Sequence, residues 1–171
     1  TGKFTKKINE YMAREKEYTG TIILGATTPT YDLESIPENF KEAIDITAEQ
    51  VAGTAKKFTG EIMQVPPIYS AIKKDGKRAY ELARRGKEIE LTARPITVSE
   101  FSTTYNYPKV HFKIICSTGT YIRSLAHDLG QELGCGGYLS ALCRTRIGEF
   151  HLKDALSIEE LENKVKENNS N

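Results

Sequence analysis

The sequence predicts an α+β domain with a mixed, largely antiparallel sheet flanked by helices and loops, and three observations carry that prediction. Helical and extended segments follow one another irregularly instead of in regular β-α repeats, which disfavours a doubly wound parallel sheet. Val110, Phe112, Ile114 and Cys116 alternate with His111, Lys113, Ile115 and Ser117, the period of a strand with one buried face. Thr47-Ala48-Glu49-Gln50 and Ser157-Ile158-Glu159-Glu160 both have the form of capping boxes, which fixes two helix starts.

Along the chain, a helix is predicted near Phe4 to Arg14 and a strand at Tyr18 to Gly25. The Thr47 cap opens a helix from about Ala48 to Phe58, and Pro67 to Lys73 is expected to be extended. A short helix over Lys77 to Arg85 precedes strands near Pro95 to Thr103 and Lys109 to Cys116. Ile122, Leu125, Leu129 and Leu133 then recur at helical spacing, with Thr118 or Thr120 available as a cap and Gly134 as a stop. This predicts a helix over Tyr121 to Leu133. Leu133-Gly134-Cys135-Gly136-Gly137 reads as a turn, Tyr138 to Phe150 as a strand, and Ile158 to about Lys166 as a last helix. No internal repeat or low-complexity linker divides the chain, so 1–171 reads as one domain with a frayed polar tail.

Composition narrows the class. With 171 residues, 39% hydrophobic and 27% charged, the chain can bury a substantial core and lacks the signature of disorder. No apolar run approaches a membrane span, and a cytoplasmic protein is expected. Cys116, Cys135 and Cys143 form no C-x-x-C pair and the three histidines are scattered. Neither a metal site nor a disulfide framework is expected, and the cysteines read as buried, reduced thiols.

A net charge of +1 gives no global basic footprint for nucleic acid. Locally, Lys73, Lys74, Lys77, Arg78, Arg84, Arg85 and Lys87 outweigh Asp75 and Glu81. Tyr69 and Tyr80 interleave with these cations, which suits a surface that grips phosphate and stacks on bases better than a plain solvated face.

The densest chemical signal is 116–137. Tyr121 and Arg123 stand two residues apart where a strand passes into a helix, a junction at which a rigid scaffold presents side chains. By spacing alone, such a Tyr is usually half-buried packing and such an Arg a solvent-facing cation. There is no phosphate-binding Gly-rich loop or dinucleotide fingerprint. Adjacent His127 and Asp128 cannot face each other on a helix, which disfavours a Ser-His-Asp hydrolase. Three readings stay open at this point: an enzyme site, a non-catalytic RNA-binding or RNA-chaperone module, and a structural domain that merely packs Tyr121 and Arg123.

Cys116-Ser117-x-Gly119-Thr120-Tyr121-Ile122-Arg123, followed by Asp128-Leu129-Gly130 and Leu133-Gly134-Cys135-Gly136, resembles the signature of the TruB-type bacterial tRNA pseudouridine synthases. Three further segments resemble the same family in the same order. They are Lys16-Glu17-Tyr18 leading into Leu24-Gly25 through Thr30-Tyr31-Asp32; Phe58-Thr59-Gly60 with Gln64-Val65-Pro66-Pro67-Ile68-Tyr69-Ser70 and on to Arg94-Pro95-Ile96; and Leu142, Arg144, Gly148 and Phe150.

The resemblance implies that the T-loop uridine of tRNA, position 55, is flipped out, its glycosidic bond broken and the ring rejoined through carbon, with neither metal nor organic cofactor. It implies that Tyr18 stacks on the flipped uracil, that Tyr121 and Leu142 line the pocket, and that Arg123 pairs with the catalytic aspartate, keeping it ionised and oriented. Residues 65–94 would form the thumb that closes on the T-arm, with Lys73, Arg84, Arg85, Tyr69 and Arg144 as RNA contacts. Thr30 and Asp32 would shape the pocket floor. The family's catalytic aspartate lies in a G-G-T-L-D-P-type motif upstream of Lys-x-Tyr, and no such motif occurs in these 171 residues. Thr1-Gly2-Lys3 resembles the middle of the family domain, so the nucleophilic aspartate is expected upstream of Thr1. The expectation is part of one catalytic domain, inactive alone, that binds the tRNA T-arm as a monomer without metal or membrane.

Overall fold

The computed structural model describes residues 15–43, 45–70, 91–155 and 157–160, and the backbone of 73–74 and 77–78. Its centre is a sheet of six strands: β1 (Lys16–Leu24), β2 (Gly60–Gln64), β5 (Arg94–Asn106), β6 (Lys109–Cys116), β7 (Gly137–Ile147) and β8 (Phe150–His151). Their order across the sheet is β2-β5-β6-β1-β7-β8. Each ladder in it is antiparallel. A separate antiparallel pair joins β3 (Lys73–Lys74) and β4 (Lys77–Arg78). Helices α1 (Ala48–Lys57) and α2 (Ile122–Glu132) supply the apolar faces that meet the sheet.

Periodicity decides which side is buried. In β6 Val110, Phe112, Ile114 and Cys116 are all buried, as their alternation predicts. They pack with Ile22 and Leu24 of β1, Val98 and Phe101 of β5, Val51 and Ala55 of α1, and Ile122, Leu125 and Leu129 of α2. The Thr47 capping box is formed: the Gln50 N–H donates to Thr47 Oγ1 at 3.2 Å and the Thr47 N–H to Gln50 Oε1 at 2.8 Å. The Ser157 box forms likewise, with Ser157 N–H to Glu160 Oε2 at 2.7 Å and Glu160 N–H to Ser157 Oγ at 3.2 Å.

Several expectations need correction. α2 is capped by Tyr121, in extended conformation and with no side-chain cap bond, in place of Thr118 or Thr120. β2 carries no clear sequence signal: of Gly60-Glu61-Ile62-Met63-Gln64 only Gln64 is buried, so no alternation marks this short edge strand. The long last strand is broken, because Gly148 at φ +56° turns β7 into β8. Lys77–Arg78 is strand where a helix is expected. The rest of that expected helix, the helix over Phe4 to Arg14 and the last helix beyond Glu160 lie outside the described residues. Cys116 and Cys135 are buried, but Cys143 is exposed, because β7 leaves the core after Leu139.

One half-buried carboxylate on α2 bears on stability. Burial pushes Asp128 up to about 6 from its ordinary value of 3.8. The folded protein therefore holds this proton more tightly than the unfolded chain does. Ionised Asp128 costs stability above about pH 6, and the cost vanishes as pH falls toward about 4. Asp128→Asn is expected to stabilise the protein by about 1–2 kcal/mol near pH 8 and by nothing near pH 4. Urea midpoints of both proteins at the two pH values check this.

Candidate active site

The junction between β6 and α2 holds the most polar, most connected group of the predicted residues. Arg123, in the first turn of α2, is largely buried and sends its guanidinium in two directions. Nη1 donates to Asp32 Oδ2 at 3.2 Å and lies 3.5 Å from the Thr30 carbonyl; Nη2 donates to the Tyr69 carbonyl at 2.6 Å. Asp32 is itself fixed, since its Oδ1 accepts from the Thr30 hydroxyl at 2.6 Å and from the Glu34 N–H at 3.0 Å. Asp32, expected only to shape a pocket floor, is thus a carboxylate partner of Arg123 among the described residues. The tight turn that presents it uses Tyr31 at φ +66°, with the Tyr31 ring stacked on His127 at 3.9 Å.

Tyr121 is half-buried, and its backbone is held by a buried side chain absent from the predicted site. Gln64 Nε2 donates to the Tyr121 carbonyl at 3.0 Å, and the Tyr121 N–H donates to Gln64 Oε1 at 2.9 Å. The available sequence signal was the run from Gln64 to Ser70, but nothing in a sequence marks a partner so distant. Ser124 Oγ also donates to the Val65 carbonyl at 3.1 Å.

Tyr18 lies on the central strand, opposite Ile114 of β6 and Arg144 of β7, and packs partly against the core. Close by in register, Gly20 lies opposite Leu142. A Cβ at Gly20 would come within 2.2 Å of the Ala141 carbonyl and 2.6 Å of the Phe112 ring, so only glycine fits. Leu142 is 48% exposed and lines a shallow cavity of about 430 Å³ with Thr19, Gly20, Thr21 and Phe112. Arg144 is exposed, and Lys16 at the head of β1 has its pKa lowered by partial burial and then by Arg144. Lys16 and Arg144 thus bring positive charge near Tyr18, while Glu17 beside it pairs with Arg146 at 3.7 Å.

Leu142 lines the cavity of about 430 Å³ and Arg144 lines another of about 270 Å³ beside Phe150; neither takes in Tyr18, Tyr121 or Arg123. Sheet register brings Tyr18, Leu142 and Arg144 to neighbouring strands, while Tyr121, Arg123 and Tyr69 meet at the head of α2. A further cavity of about 490 Å³ runs along the later turns of α2, lined by Thr28, Tyr31, Lys41, His127, Gln131 and Gly136, and takes in none of the predicted residues. The side chains of Lys73, Arg84 and Arg85 lie outside the described residues. No group of His, Cys, Asp or Glu among the described residues is arranged to hold a metal, and no described helix is long and apolar enough to cross a membrane.

Known proteins share this architecture. In the crystal structure of a Cbf5-Nop10-Gar1 complex, a chain superposes with TM-score 0.66 at 25% identity, over 93% of this chain and 38% of that one. Residues 1–122 match the family model for the TruB family pseudouridylate synthase N-terminal domain, and 123–171 that for the tRNA pseudouridylate synthase B C-terminal domain. The class that the fold and these matches define is that of the pseudouridine synthases. Within it, the chain belongs to the TruB family. Relatives named tRNA pseudouridine synthase B include one from Flavobacterium johnsoniae, 50% identical over 92% of this chain and 69% of its own length. Others come from Phocaeicola vulgatus, 46% identical over 93% and 68%, and Corynebacterium diphtheriae, 43% identical over 92% and 55%. The chain thus spans about two thirds of the length of the first two. The border between the two family models falls inside the first turn of α2, yet both matched segments build one sheet, because β7 pairs with β1.

Proposed function

We propose that this chain forms the uridine-holding part of a catalytic domain that isomerises the T-loop uridine, position 55 of tRNA, to pseudouridine. The observation that carries this reading is the fixed guanidinium of Arg123. A guanidinium has five N–H donors, and three contacts within the described residues occupy the two outer nitrogens. Donor capacity is left for a second carboxylate, that of a nucleophilic aspartate. A cation pinned by Asp32 and the Tyr69 carbonyl can hold such a carboxylate ionised and aimed without moving during reaction.

The remaining roles are those that the family motifs imply. Tyr18 stacks on the flipped base, Tyr121 and Leu142 wall the pocket, and exposed Arg144 meets backbone phosphate. Lys73, Arg84 and Arg85 on the 65–94 segment clamp the T-arm beside Tyr69. The protein acts as a cytoplasmic monomer in which 1–171 belongs to a single catalytic domain. No G-G-T-L-D-P-type motif lies in these 171 residues, so by themselves they bind and orient tRNA without turning it over.

The test is a pseudouridine assay on unmodified tRNA with the full-length protein and with these 171 residues alone. Product is expected only from the full-length protein and only when position 55 is uridine; product from the 171 residues, or from tRNA lacking that uridine, overturns the reading. A binding series tests the clamp separately. Neutralising Lys73, Arg84 and Arg85 together is expected to weaken tRNA binding and to reduce the slope of log affinity against log salt by about 2–3. An unchanged slope would return these cations to the role of a solvated face.

A further inference from the structure

We propose that Gln64 is a positioning residue for the reaction: its side-chain amide fixes the Tyr121 backbone, and with it the directions of Tyr121 and Arg123, and ties both to the base of the 65–94 segment. This rests on the function proposed above. Gln64 ends β2 and is 2% exposed, a burial that a primary amide accepts only when its hydrogen bonds are met. Its two bonds to Tyr121, donor to carbonyl and acceptor from N–H, reproduce with a side chain the paired bonds that one strand residue makes with another.

Tyr121 has particular need of them. It is the N-cap of α2, so its N–H lies outside the helical ladder, and it has no side-chain cap of its own. Its carbonyl also receives the Leu125 N–H at 3.2 Å, so the same oxygen joins Gln64 to the first turn of the helix. The lacing continues on both sides: Ser124 bonds the Val65 carbonyl, and Arg123 the Tyr69 carbonyl. Gln64 at the end of β2, with Val65 and Tyr69 at the start of the 65–94 segment, is thereby joined to three residues at the head of α2.

The chemistry of the amide supplies the test. Methionine matches glutamine in length but can make neither bond. Ionised glutamate offers two acceptors, one of which opposes the Tyr121 carbonyl, whereas protonated glutamate again presents one donor and one acceptor. Burial would raise the pKa of a Gln64→Glu carboxyl, while Arg123 and Arg94, the latter opposite in β5, would lower it. Titration from about pH 5 to about pH 9 brackets both effects.

Full-length wild type, Gln64→Met and Gln64→Glu would be assayed for pseudouridine formation at saturating and subsaturating tRNA across that range. Amide hydrogen exchange would be read over 117–125. Gln64→Met is expected to lose about 10²-fold in kcat with KM within about threefold. Gln64→Glu should be equally slow at high pH and recover toward wild type as pH falls. Both variants should exchange faster at 117–125 at high pH while the central strands keep their protection. A kcat for Gln64→Met within about twofold of wild type, or unchanged exchange at 117–125, overturns the proposal. A wild type that forms no product sinks the proposed function instead, and the exchange data still decide whether Gln64 holds Tyr121.

Discussion

Arg123→Met in the full-length protein is expected to lower turnover by about 10²–10³-fold while tRNA affinity changes little, as expected of an interaction that matters chiefly in the transition state. The side chain is 20% exposed and engages Asp32 and two backbone carbonyls, so its loss is also felt in the fold. Asp32 keeps the Thr30 hydroxyl and the Glu34 N–H, which limits the cost to about 1–3 kcal/mol. Arg123→Lys retains the charge but loses the fork that reaches Asp32 and Tyr69 together, and should recover only a small part of the rate. Steady-state kinetics with a parallel urea titration separates the two effects. A variant with wild-type kcat would remove Arg123 from the reaction.

Gly130→Ala is expected to destabilise the protein by about 3 kcal/mol, lowering Tm by roughly 6–12 °C. In an exposed helix the same change would stabilise by up to about 1 kcal/mol, so the sign is diagnostic. Gly130 lies in α2 where the chain reverses through Gly134 and Gly136 into β7. A Cβ there would sit 2.1 Å from the Gly137 nitrogen and 2.3 Å from the Gly136 carbonyl carbon. Both are backbone atoms, and the Gly130 carbonyl already accepts from the Gly136 N–H at 2.9 Å, so the turn cannot swing aside. Thermal unfolding followed by circular dichroism gives the result directly; a Tm at or above wild type would mean that the turn yields.

What the sequence discloses is what period and local chemistry encode. β6 and α2 were legible because each buries one face of a regular element, and α1 because Thr47 and Gln50 satisfy one another three residues apart. β2 was not legible, since an edge strand with one buried residue in five has no pattern to detect. At the site, Tyr18, Tyr121 and Arg123 were singled out by motif, and Asp32 and Gln64 stood in the same motifs without their bonds being legible. Asp32 and Gln64 are polar residues whose bonds to α2 depend on sheet order, and no local signal distinguishes a carboxylate or amide that will meet a distant helix from one that will meet water. Thr118 and Thr120 misled for the complementary reason: good capping residues stood next to a helix whose start is held from outside.

The position of β1 sets a problem of timing for the ribosome. It is the first described strand to be made and the one flanked on both edges, by β6 and by β7. Its nearer partner begins at Lys109, whose Cα partner is Ile23. At about 5–20 residues per second, translation leaves the strand without either neighbour for roughly 4–18 s, and for longer before β7 emerges. During that interval Ile22, Ile23 and Leu24 belong to an apolar segment with two open edges, the form in which strands recruit other chains. Yield during synthesis is therefore governed by how fast the second half of the chain arrives and by what shields the first half meanwhile, quantities that the stability of the finished sheet does not report.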